Sequence, residues 1–125
     1  MRIEREAMLF SRRNAYQIVE GRRTIEFSVR MPRHHKIGRT YAVQVRPDRK
    51  GARPGSPIGR VKVQSVQPVH LEEITEADAR AAGYKCLAAL RRRWEMAGRL
   101  WDPNATVYRV EYMLIGPPMN ARIAS

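Results

Sequence analysis

The sequence predicts an α+β domain, a small curled sheet or barrel flanked by about three helices. Three observations carry this. Apolar and polar residues alternate with the period of a strand over 24–30, 40–45 and 107–112, so strands are in the majority. Helical periodicity is confined to one segment after Ser11 and two more after Thr75. A length of 125 residues with 43% hydrophobic side chains suits one core and hardly two. The order strand, helix, several strands, two helices, strand packs most simply with the helices against a curled sheet, and less well as a parallel βαβ sandwich.

Ala7, Met8, Leu9 and Phe10 form a short apolar run, and the Ser11 hydroxyl is placed to cap a helix starting near Arg12. Ala15, Ile18 and Val19 recur at helical spacing, and Gly21 offers the left-handed conformation that ends a helix. In the next strand Ile25, Phe27 and Val29 share one face, while Thr24, Glu26, Ser28 and Arg30 share the other. Pro32 and the residues 34–36 break this pattern, a second strand covers 40–45, and 47–55 is a charged loop rich in turn residues. Residues 58–69 read as one long strand or as one bent at Gln64 and Ser65. Thr75 and Asp78 resemble a capping box, Gly83 closes that short helix, and Leu87, Leu90, Trp94 and Ala97 mark a longer one over 85–99. A last strand reaches Ile115, after which 116–125 reads as a loose tail to a domain whose core is 8–115. No repeat or linker divides 1–125.

Charge is the feature that bears on function. The chain carries 24 basic and 12 acidic residues, and residues 21–62 hold twelve of the former and two of the latter. An excess concentrated in the middle third reads as the electrostatic footprint of a polyanion ligand ahead of a solvated basic face with no partner, because self-repulsion of this size is costly without a ligand. The lone Cys86 forms no internal disulfide, no apolar run approaches a membrane span, and the N-terminus lacks the apolar core of a signal peptide. The expectation is a cytoplasmic protein with no membrane partner.

Gly21, Arg22, Arg23, Thr24, Ile25 and Glu26, followed by Arg30, are similar to the glycine-x-lysine-x-x-glutamate-x-arginine pattern of the ASCH domains, a PUA-like family. The block 74–80, continued by Gly83, Tyr84, Trp94, Trp101-Asp102-Pro103 and Val110-Glu111-Tyr112, resembles the family's second half, so the likeness covers about 8–115. It implies a PUA-like fold and a cleft for a nucleotide. Arg23 replaces the motif lysine and keeps its charge, but a guanidinium does not become a neutral base. Some ASCH proteins deacylate modified cytidine with a threonine, a lysine and a glutamate. By position these fall on Glu26, Arg23 and Ala82, so none is retained. Other members cleave RNA, which keeps a ribonuclease as an alternative.

The expected ligand cleft is therefore Arg22, Arg23, Glu26 and Arg30, where the glutamate accepts from a base amino group and the arginines meet phosphate, or where Glu26 simply pairs with an arginine. Arg12, Arg13, Arg39, Arg46, Arg49, Lys50, Arg53, Arg60 and Lys62 are the expected phosphate contacts. Tyr41, Tyr84, Trp101, Tyr108 and Tyr112 are stacking platforms or core residues, and Trp94 belongs to the core. His34, His35 and His70 lack metal-ligand spacing, so no metal and no cofactor is implied. The reading that results is an RNA-binding module. The alternatives are a ribonuclease or nucleoside amidohydrolase, and an adaptor whose basic face meets an acidic protein.

Overall fold

The computed structural model describes residues 7–32 and 35–115. Five strands form one mixed sheet in the order β1-β3-β4-β5-β2, with β1 at Ala7–Phe10, β2 at Ile25–Ser28, β3 at Thr40–Val45, β4 at Gly59–His70 and β5 at Thr106–Leu114. The β1–β3 pair is parallel and the other pairings are antiparallel. The sheet is open. β1 and β2 follow each other in the chain but occupy its two edges, so of the two expected forms, sheet or barrel, it is the sheet that forms and the barrel does not close. The expected tail 116–125 and His34 lie outside the described residues.

Local chemistry accounts for the elements. Helix α1, Arg12–Val19, begins where the Ser11 hydroxyl accepts the Asn14 amide at 3.2 Å, and it ends before Gly21 at φ 79°. Helix α2, Glu76–Ala81, opens on a reciprocal capping box between Thr75 and Asp78, with acidic residues in its first turn. Helix α3 runs Leu87–Met96, shorter than its 85–99 periodicity suggests, because the chain turns at Gly98 and leaves Ala97 exposed. A 3-10 turn at Leu71–Glu73, which periodicity cannot signal over so short a span, joins β4 to α2.

The sheet buries both faces. Directly paired residues point to the same side, and the β4–β5 register places Val63 with Tyr112 and Val66 with Val110 on the side facing α1. The register shifts between Val63 and Ser65, and this bulge at Gln64 moves the inward positions from odd to even residues. On the α1 side Met8, Phe10, Ile18, Tyr41, Val43, Val61 and their neighbours form one core. On the other side Val107 and Val69 meet Leu71, Ile74, Ala79, Leu90 and Trp94 beneath α2 and α3.

Candidate functional site

β2 is a four-residue edge strand, and its two middle residues point to opposite faces. Glu26 pairs with Val110 on the α1 side, while Phe27 pairs with Arg109 on the α2–α3 side. Both line one cavity of about 370 Å³, which therefore wraps the sheet edge and draws on both cores. Phe10 and Asn14 close it on one side, and Tyr84, Leu90 and Trp94 on the other. Its size and its few convergent polar groups match a small-ligand site.

Arg23 forms the floor and is only 7% exposed. Its Nε donates to Gln17 Oε1 at 3.2 Å and its Nη2 to Asn14 Oδ1 at 3.0 Å, and the guanidinium lies 5.7 Å from the centre of the Tyr84 ring. Gln17 is itself buried, and Asn14 lies one turn away on the same side of α1. Gly83, at φ 92°, gives the guanidinium room: a β-carbon there would stand 2.6 Å from Gln17 Oε1 and 3.0 Å from Arg23 Nη2. Thus a helix-ending glycine also serves the site.

Glu26 is half-buried beside this cation, and the Tyr112 hydroxyl donates to its Oε1 at 3.3 Å. Burial pushes the carboxyl above its ordinary value, while the Arg23 charge, the Tyr112 hydrogen bond and Arg46 draw it back. Burial and the adjacent carboxylate push the Tyr112 hydroxyl far up, so it remains a donor. The result is a carboxyl that can accept or, when protonated, donate, next to a guanidinium fixed by neutral acceptors.

The expected cleft residues divide. Arg23 and Glu26 meet in the cavity. Arg30 lines a shallower neighbour together with Glu26 and Arg99, and exposed Arg22 turns away to pair with Glu20. Of the expected phosphate contacts, Arg46 lines the cleft, and Arg12, Arg46, Arg49 and Arg53 line a separate cavity. Arg13, Arg39 and Lys50 are exposed outside these cavities, and Arg60 and Lys62 point from β4 to the side away from the α1 core. Trp94 is a core residue and also a wall of the cleft, Tyr84 is a wall, and Tyr112 is buried as a hydrogen-bond donor. Sequence reasoning missed Asn14, Gln17, Arg93 and Arg99. The first two carried a signal: two amides three residues apart on α1, just before a pair of arginines.

Among the described residues no three His, Cys, Asp or Glu side chains group as metal ligands, and no helix is long and apolar enough to cross a membrane.

No family model matches the sequence, and no curated protein matches it. Solved structures do match its fold, that of a small α+β domain with a polar cleft at the edge of a mixed sheet. An ASCH structure from Zymomonas mobilis aligns over 90% of this chain and 68% of its own, at TM-score 0.64 and 14% identity. An ASCH domain from Lactobacillus crispatus aligns over 81% and 69%, at TM-score 0.56 and 19% identity. A protein from Enterococcus faecalis, described under the family model DUF984, aligns over 100% and 84%, at TM-score 0.61 and 12% identity. The fold is therefore the ASCH fold that the motif resemblance implies, and at these identities the likeness is one of fold alone.

Proposed function

We propose that the protein is a nucleic-acid-binding module of ASCH type, with RNA as its ligand, and that the cleft at the β2 edge takes an exposed or modified base. The observation that supports this reading best is the joining of Arg23, Glu26 and aromatic walls in one cavity with Arg46, Arg93 and Arg99 around it. A carboxyl group reads the hydrogen-bonding edge of a base, aromatic walls accept its faces, and arginines meet the phosphates on either side. A central charge excess of the size present here adds long-range attraction.

Anisotropy titration with labelled single-stranded RNA tests it. Affinity is expected to fall steeply between about 50 mM and 200 mM salt. Glu26→Gln is expected to change the preference among bases while leaving the salt slope in place, since it alters a base contact and no phosphate contact. Absence of salt-sensitive retention on both RNA and single-stranded DNA would overturn the reading.

A second reading is favoured by the raised Glu26 carboxyl beside Arg23. A proton donor or acceptor next to a fixed cation suits ribonuclease chemistry, and cleavage of labelled RNA by metal-free protein, lost in Glu26→Gln, would establish it. The amidohydrolase reading has no such support: the position that the resemblance gives to its glutamate is Ala82, whose methyl lines the cleft.

A further inference from the structure

A second cavity, of about 460 Å³, opens on the other flank of α1. Arg12 and Tyr16, four residues apart on one helix face, line it, whereas Asn14 lies on the opposite face and lines the cleft. The first turn of α1 is thus a partition between two chambers. Arg46 is the residue common to both linings. Its amide donates to the Phe10 carbonyl at 2.7 Å and its Nη2 to the Leu9 carbonyl at 3.2 Å, so it is pinned where the parallel β1–β3 pair ends.

The second chamber differs from the first in charge. Arg12, Arg46, Arg49 and Arg53 line it against one carboxylate, that of Asp48. Among the described residues no ion pair neutralises Arg12, Arg49 or Arg53. Several guanidinium groups converging on one concavity, three of them unneutralised, suit a phosphate rather than a base. Resting on the reading above, we propose that this chamber is the phosphate subsite for the strand whose base enters the cleft. Arg46 then stands at the crossing between them. The preferred ligand is single-stranded RNA longer than one nucleotide, since a duplex keeps its bases stacked and delivers none to the cleft without extruding it.

The test compares two variants with equal loss of charge. Arg49→Gln with Arg53→Gln empties the chamber from an exposed loop, and Arg60→Gln with Lys62→Gln removes two charges from the far side of the sheet. Affinity for a single-stranded RNA of about ten nucleotides is measured across a salt series for both variants and the wild type. The chamber variant is expected to lower the slope of log affinity against log salt by about 1.4 and to bind about tenfold more weakly at 0.1 M salt, with the far-side variant well short of both changes. Equal slopes for the two variants would overturn the subsite while leaving RNA binding in place. Failure of the wild type to bind RNA at all would overturn the reading on which it rests. A preference for DNA of the same sequence would keep the subsite and reassign the strand.

Discussion

Two arginines that sit largely inside this protein are held in opposite ways. Arg109 on β5 is 23% exposed, and two carboxylates take up its charge: Asp78 of α2 at 3.3 Å and Glu111 at 3.8 Å. Arg23 is more deeply buried, and its direct hydrogen-bond acceptors, Gln17 and Asn14, are neutral. Arg109 is a tie between a strand and a helix. Arg23 is fixed in place with much of its electrostatic pull left over for whatever enters the cleft, with Glu26 as its nearby counter-charge. Burying a guanidinium without a direct carboxylate partner is expensive, and here the costly charge lies at the floor of the cleft.

Alanine at each position separates these roles and is expected to have the largest effects. Arg23→Ala leaves two amide oxygens without their donor and should cost about 3 kcal/mol in urea denaturation, together with most of the RNA affinity. Arg109→Ala exposes its partners to water and should cost about 1 kcal/mol while sparing affinity. Equal losses of stability and of binding for the two variants would erase the distinction.

A subtler disturbance is Gly83→Ala, which leaves every charge in place. The new methyl crowds Gln17 and Arg23, and the backbone at φ 92° resists any side chain, for an expected loss of about 2 kcal/mol. Because the guanidinium must shift, affinity should fall in parallel. Calorimetric melting beside the RNA titration checks both, and a variant that binds as the wild type does would show that the packing around Arg23 is slack.

The smallest effect concerns Glu26. Its carboxyl titrates above the ordinary value of 4.5 in the folded chain, so the folded state holds the proton more tightly than the unfolded one. Stability therefore falls as pH rises from about 4.5 through the raised value, and is level beyond it. Glu26→Gln cannot titrate and should flatten that decline, becoming the more stable protein at neutral pH. Melting temperatures of both proteins from about pH 4 to about pH 8 decide it, and parallel curves would count against a strained carboxyl.

Local rules carried much of the fold. The Ser11 cap and the Thr75–Asp78 box are short-range signals, and each sits where the sequence placed it, while the bulge at Gln64 falls at the bend that was one of two readings of that strand. Sheet order was out of reach, because the parallel pairing of β1 with β3 joins segments about 35 residues apart that carry no mutual mark. The site was legible in part for the same reason. Arg23 and Glu26 are neighbours in sequence as well as in space. Tyr112, Arg46 and Arg99 arrive from distant elements, and among twenty arginines no local cue singles out the useful ones.

The order of strands also sets a timetable. β2 leaves the ribosome before its one strand partner among the described residues, β5, which follows about 80 residues later. Until β5 is made, Glu26 lacks Tyr112 and the floor of the cleft has no neighbour on that flank. Such remote pairing is slow, since closing a long loop comes before any gain from contact. The growing chain thus displays its basic middle third well before it owns a finished pocket, because the β2 edge of the cleft is complete only once β5 has paired with it.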